Sequence, residues 1–493
     1  MADDYQYEEE YTMEQHYEQD SELSAQEIDP ATMVVDIQTP MGPIVVNMKQ
    51  LEDAKNAVVA TRAKQSVLPL GDRMMNEFIG SKHKRDSRYW RGKLGVLMKI
   101  HFDLYLADEF EVVEEFMVDQ GKLRAAIHES IELHDGQRQR FLAAGTRFYQ
   151  SKTEKDHHLV TVSSVDHDGD QRISVYTSTR TSVNVHGKSA DDLISDVEFD
   201  FYQNGILKGA FFDLQYNFIS RDKQIDDLIA WDENVKEALW KDIISFQKAM
   251  PQLRASGVPN SRGVILAGPP GTGKTMIAKW LAAHSDITCV LISAEMITGR
   301  NDIKSCFEMA RKLSPTLLII EDIDTAGALD RRASDHPLLG EFLQSMDGIV
   351  PNHGVITLAT TNHSNKIDPA IADRPGRFDR IIEVGLPGKD QRFHIFHHLL
   401  KKLDLSRNVT LEVKEKLAKM TEGLTGAWIR AVVQDSLILA LSKEKNKIGK
   451  EHLFDALKDV MQRRGMAYRG RTLRPSTSQS QGRCLCPVNE LMD

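Results

Sequence analysis

Cysteine is scarce in this chain: four in 493 residues, Cys289, Cys306, Cys484 and Cys486, with no CxxC pair or matching His set. A disulfide framework and a zinc knuckle are therefore unsupported, and a reducing, cytoplasmic compartment is the expectation. Long apolar runs are missing as well. Nowhere do about 18 apolar residues follow one another, so no membrane-spanning helix and no membrane partner are expected. The opening MADDYQYEEE has neither a basic nor an apolar stretch, which argues against a secretory leader. Positive charge is lacking at one end only. Residues 1–30 hold eleven Asp and Glu and no Lys or Arg; since the whole chain carries −10, the remainder is near neutral at +1. The acidity belongs to a tail.

What is present is an ordinary globular composition, 41% hydrophobic and 27% charged, long enough for two or three domains. Residues 1–50 read as an acidic, largely disordered N-terminus, with a strand pair turning at Met41-Gly42-Pro43. Residues 51–222 read as an α+β domain. Its first part is helical in pattern, "DEFEVVEEFMVDQGKLRAAIHESIEL" included, and its last part strand-like through "VEFDFYQNGILKGAFFDLQYNF". From 223 to 387 the texture becomes that of a doubly wound α/β domain. "RGVILAG", "TLLIIED" and "GVITLATTN" are apolar runs ending in loop residues, as buried parallel strands do. Residues 388–464 form a small helical domain, and 465–493 an Arg- and Ser-rich tail expected to be disordered.

The chemistry concentrates at the ends of those three runs. "GPPGTGKT", Gly268-Pro269-Pro270-Gly271-Thr272-Gly273-Lys274-Thr275, lies between a strand and the helix opening at Met276. This is the phosphate-loop pattern in its confirming context. The glycines let backbone amides approach phosphates, Lys274 reaches the β/γ-phosphates, and the Thr275 hydroxyl ligates magnesium. "LLIIEDID" brings Glu321 and Asp322 to the end of a core strand, where phosphoryl transfer needs one carboxylate for the metal and one for the attacking water. Asn362 ends the third run and can hold water without titrating. Arg374 and Arg377 flank a Pro-Gly turn in "DRPGRF", exposed cations suited to a neighbouring subunit's phosphate.

Phosphate loop, acidic strand, strand-end Asn and paired-Arg turn, in this order and before a helical lid, resemble an AAA+ ATPase of the AAA subgroup over about residues 223–464. The resemblance implies a P-loop parallel-sheet core with a helical lid, with ATP and magnesium as ligands. It also implies an active homo-oligomer, usually a hexameric ring, that acts on a protein substrate. It makes Asn362 a sensor and Arg374 and Arg377 fingers acting in trans. It places Asp226 at the adenine pocket, and Gly426 and Ala427 in the lid segment closing over the nucleotide. The Glu-Asp order is similar to that of the subgroup including the mitochondrial Rieske-protein translocase and related single-ring ATPases. Position for position, Glu321 takes the metal side and Asp322 the water-activating side, with Asp324 a nearby substitute.

Two departures bear on mechanism. Unfoldases of this family thread substrate past an aromatic loop residue, yet no Phe, Tyr or Trp occurs between Trp280 and Phe307, where Met296 and Ile297 are the apolar substitutes. In "RFHIFHHLL", Leu399 stands where relatives often carry a base-contacting His, one residue after His398. The leading expectation is a ring ATPase that remodels a protein chosen by its N-terminal domain. Two alternatives are an ATP-dependent assembly switch and a nucleic-acid-associated ATPase. The last draws on "KHKRDSRYWRGK" at 82–93, which interleaves basic and aromatic residues, although a solvated helix-to-turn segment is the favoured reading there.

Overall fold

The computed structural model describes residues 34–469 apart from 40–41, 179–187, 224, 226–228, 231, 298, 324–341, 343, 347–350 and 363–377. The chain falls into two compact units, residues 1–81 with 118–123, and residues 82–117 with 124–493. In the first, β1 (Val34–Thr39) and β2 (Gly42–Asn47) pair antiparallel, ending at Thr39 opposite Gly42. Helices α1 (Met48–Val67) and α2 (Leu70–Ile79) follow.

The second unit opens with an antiparallel sheet. Its strands are β3 (His83–Trp90), β4 (Phe110–Asp119, whose last two residues are grouped with the first unit), β5 (Lys122–Arg124, of which Lys122 and Leu123 are likewise grouped there), β6 (Ile127–Glu132), β7 (Arg138–Ser151), β8 (His158–Val165) and β9 (Gln171–Ser178). β3, β9, β8, β7 and β4 lie side by side in that order, and β6 pairs with β7. Helices α3 (Gly92–Glu109) and α4 (Ala190–Asn204) pack on one face through Leu97, Phe102, Leu193, Val197 and Phe201.

Three segments differ from their sequence reading. "DEFEVVEEFMVDQGKLRAAIHESIEL" is strand, not helix, after its first residues. Val112, Val113 and Val118 favour extended backbone, and the positive φ of Gln120 (49°) and Gly121 (76°) turns β4 into β5. "VEFDFYQN" is helix, not strand. A capping box at Ser189, whose hydroxyl accepts from the Asp192 amide, starts α4, and Leu193, Val197 and Phe201 recur at four-residue spacing. Residues 83–90 are the edge strand β3, not a helix-to-turn segment.

The rest of the second unit is a six-stranded parallel sheet. Its strands are β10 (Phe211–Asp213), β11 (Arg262–Ala267), β12 (Thr288–Ser293), β13 (Thr316–Glu321), β14 (Val355–Thr361) and β15 (Phe378–Glu383), in the order β10-β12-β13-β14-β11-β15. Around it run α5 (Glu233–Leu239), α6 (Phe246–Ala255), α7 (Lys274–His284) and α8 (Arg300–Lys312). The doubly wound α/β expectation holds, and the edge strand β10 is drawn from residues grouped above with the N-terminal domain. Because β11 sits between β14 and β15, the chain order reverses there, and a crevice opens at the carboxyl ends of these strands. Four helices, α9 (Lys389–Lys401), α10 (Leu411–Met420), α11 (Gly426–Ser442) and α12 (Lys450–Arg469), then close around Phe396, Leu417, Ile429, Leu453 and Val460.

Candidate nucleotide-binding site

Strand register gathers the site. Ala267 of β11 lies opposite Thr361 of β14 and Glu383 of β15, so the residues that follow each strand meet at one rim. Gly268 donates its amide to the Thr361 carbonyl, and a Cβ there would stand 2.1 Å from the Val384 carbonyl oxygen; only glycine fits. The loop then curls through Gly271 (φ 81°) and Gly273 (φ 103°) into the N-terminus of α7, directing amides and the positive end of the helix into the crevice.

Lys274, only 6% exposed, turns back over this loop. Its ammonium donates to the carbonyls of Gly268 (2.9 Å) and Pro269 (3.0 Å) and to Asn362 Oδ1 (2.8 Å). The Asn362 amide in turn donates to Asp322 Oδ1 at 3.0 Å. A hydrogen-bonded chain, ammonium to amide to carboxylate, therefore runs across three strand ends. Asp322 is fixed from behind as well, its backbone N–H donating to Thr360 Oγ1 at 2.9 Å, with φ at 50°. The Pro269 carbonyl also accepts from Thr272 Oγ1.

A cavity of about 480 Å³ lies over this chain. It is lined by Pro270 to Ile277, Asp322 and Asn362, and on the far side by Gly426 and Ala427. The Ala427 amide donates to the Gly271 carbonyl at 3.2 Å, so lid and phosphate loop are joined directly. Glu321 is one residue before Asp322, so its side chain takes the opposite sheet face, in line with Leu317 and Ile319, which pack in the cluster containing Ile277 and Leu281 of α7. Its buried Oε1 has no hydrogen-bond partner among the described residues.

Asp226, Asp324, Arg374 and Arg377 lie outside the described residues. The sequence reading placed the stretches holding Ile229, Ala230 and Arg430 at the nucleotide without singling these residues out, and it missed Thr360, Gln391 and Ile395 as lining groups. Gln391 donates to the Ala230 carbonyl at 3.3 Å, linking the lid to the segment holding Ile229. In the lid it is Ile395 that reaches the cavity, one helical turn before Leu399. Arg430 follows Gly426 by one turn of α11, a spacing that could have flagged it.

Of the residues lining the cavity, Ile229, Met276, Leu386 and Ile395 suit a planar base, and the phosphate-loop amides and the Lys274 ammonium suit phosphates. Known proteins agree. Residues 264–386 match the ATPase family associated with various cellular activities (AAA). Over 255 residues the chain is 33% identical to a proteasome-activating nucleotidase of Methanopyrus kandleri, covering 49% of this chain and 57% of that protein. It is 34% identical over 244 residues to ATP-dependent zinc metalloprotease FtsH 2 of Thermoanaerobacter, covering 48% and 47%. A proteasome-activating nucleotidase of Saccharolobus islandicus is 35% identical over 242 residues, covering 46% and 60%. The chain thus spans about half the length of the relatives it matches. Family match, sheet order and phosphate-loop geometry converge on one stretch: residues 264–386, which match the AAA ATPase family, hold the phosphate loop and the strand ends that line the cavity.

Proposed function

We propose that this chain is an ATP hydrolase that works as a ring of identical subunits, a hexamer in the simplest case, and uses turnover to remodel a protein partner. The observation that carries the hydrolytic part is the chain from Lys274 through Asn362 to Asp322 beneath the cavity. Lys274 faces the β/γ-phosphates, Asn362 holds the attacking water, and Asp322, bonded to Asn362, takes its proton. Thr275 and Glu321 would hold magnesium, which supplies charge neutralisation on the phosphates when bound. Glu321 Oε1, without a hydrogen-bond partner among the described residues, suits a hard, oxygen-seeking cation. Arg430 adds a lid cation to the phosphate side, and Arg374 and Arg377 complete the neighbour's site.

The protein partner is supported by relatives named as a proteasome activator and a protease. The loop after β12 favours a partner moved folded or assembled over a threaded chain. Ile297 is 2% exposed in the core; Met296 is 41% exposed and accepts at Sδ from Gln215, and neither is aromatic. Among the described residues no helix is long and apolar enough to cross a membrane, and a cytoplasmic setting fits the free, buried Cys289 and Cys306.

The test is nucleotide binding measured beside ATP turnover. Lys274→Ala should lose both. Asp322→Asn should keep binding and lose turnover by roughly a hundredfold or more, the usual scale for a general base. Asp322→Asn turnover near that of wild type would remove Asp322 from the reaction. Wild-type turnover that stays slow with every protein partner tried would replace the remodelling motor with an ATP-dependent assembly switch.

A further inference from the structure

The segment 82–93, read above as basic and aromatic, becomes something more specific once it is a strand. β3 lies at the edge of its sheet and pairs antiparallel with β9, setting Arg85 opposite Tyr176, Ser87 opposite Ser174 and Tyr89 opposite Arg172. These six side chains share one face, because alternate residues of a strand do. The two arginines lie on opposite strands, each over the tyrosine across from it. Arg85 Cζ is 5.5 Å from the Tyr176 ring centre and Arg172 Cζ is 5.0 Å from that of Tyr89.

Both guanidiniums reach inward to the serine pair. Arg85 Nη2 donates to Ser174 Oγ at 3.4 Å, Arg172 Nη2 donates to Ser87 Oγ at 3.3 Å, and the two hydroxyls are 2.9 Å apart. Arg172 Nε is buried and has no hydrogen-bond partner among the described residues. Neither arginine has a carboxylate partner among them. The other face of the same strand is opposite in character, Arg88 being neutralised by Asp191 at 2.9 Å and Glu198 at 2.6 Å. Arg88 is thus paired with acids, whereas Arg85 and Arg172 are held only by hydroxyls and rings among the described residues. Tyr89 is 56% exposed, leaving ring surface for a further flat group.

We infer that this face of β3 and β9 binds single-stranded nucleic acid. A phosphodiester supplies an anion for the two guanidiniums and can accept from the Ser87 hydroxyl, which is part-exposed where Ser174 beneath it is buried. Tyr89, flat and exposed, supplies a platform for a base. Along β3 the ladder from Arg85 to Tyr89 spans about 13 Å, enough for a short run of nucleotides and too little for duplex recognition. Neither the phosphate loop nor the lid takes part, so the inference stands apart from the ATP site.

Full-length protein would be titrated into fluorescein-labelled dT20 and U20, reading anisotropy at several salt concentrations. Wild type should bind, with affinity falling as salt rises. Tyr89→Ala should weaken binding about tenfold or more, with Tyr89→Phe restoring it, as base stacking requires. Arg85→Gln should make the log–log salt slope shallower by about 0.7, the value for one phosphate contact on a single strand. ATP turnover without nucleic acid should be the same in all three variants, which separates this site from the hydrolytic one and shows that each folds. A preference for U20 would assign RNA, and one for dT20 DNA. No binding by wild type, or full binding by Tyr89→Ala, overturns the inference. So does a phosphoserine peptide that binds wild type as tightly as the oligonucleotides and is lost in Arg85→Gln, since it would assign the face to a phosphoprotein.

Discussion

Gly271 sits where the phosphate loop meets the lid. Its φ is 81°, and a Cβ would lie 2.8 Å from Ala427 Cβ and 2.9 Å from Thr425 Oγ1. Alanine there would strain the backbone by about 1 kcal/mol and push the lid from the loop. Gly271→Ala should therefore weaken nucleotide binding by roughly tenfold, each factor of ten being about 1.4 kcal/mol. Gly299, with φ at −152° and nothing within 4 Å of its Cβ position, should tolerate the same change. Titration with a fluorescent ATP analogue checks both. Equal affinities in the two variants would show that the lid contact does not matter for binding. The glycines of this loop were legible in the sequence because their spacing answers to phosphate chemistry. Arg430 and Gln391 were not, because they reach the cavity only through how the lid folds over it.

Among the elements, α3 is joined to its sheet by a buried ammonium. Lys99, 2% exposed, donates to the Ala143 carbonyl of β7 (2.8 Å), the Ser164 carbonyl of β8 (3.1 Å) and Gln171 Oε1 of β9 (2.8 Å). Burial penalises the charged form and pushes its pKa down to about 8 from 10.5, with Glu129 and Asp103 only partly offsetting this. The sign follows from linkage. Below about 8 the fold carries the full cost of a protonated, desolvated Lys99, and that cost is relieved as pH rises toward 10.5, where the unfolded side chain also deprotonates. The Tm of wild type minus that of Lys99→Met should therefore increase between these pH values. A difference that stays flat or falls would show that the three acceptors hold the ammonium charged. No sequence pattern announced Lys99, which stands among apolar residues of α3 as a surface lysine would. The parallel strands were legible because a strand buried on both faces reads as an unbroken apolar run. β4 and α4 were misread for a related reason. Acidic residues on β4 imitate a helix's polar face, and Val197, Phe199, Phe201 and Tyr202 give α4 a strand-like composition that its N-terminal cap overrides.

At the scale of the whole molecule, the site as described is one half of what phosphoryl transfer needs. In the proposed function, the hydrogen-bonded Lys274, Asn362 and Asp322 are given phosphate contact, water position and base from within one chain. The guanidinium that neutralises charge developing on the γ-phosphate is assigned to Arg377 of a neighbouring copy. That assignment has a consequence simple loss of activity cannot imitate. Lys274→Ala keeps the finger and loses the site, while Arg377→Ala keeps the site and loses the finger, so each ring alone should be inactive. Subunits mixed one to one and allowed to exchange should regain activity wherever an Arg377→Ala subunit presents its intact site to a Lys274→Ala neighbour's intact finger. Random mixing makes about a quarter of the interfaces competent, a recovery that only a finger supplied in trans allows. Wild-type turnover per subunit should also rise with protein concentration as rings assemble. If the mixture stays as inactive as its components while wild-type subunits demonstrably exchange, Arg377 serves its own chain's site, and the hydrolytic unit is the single subunit.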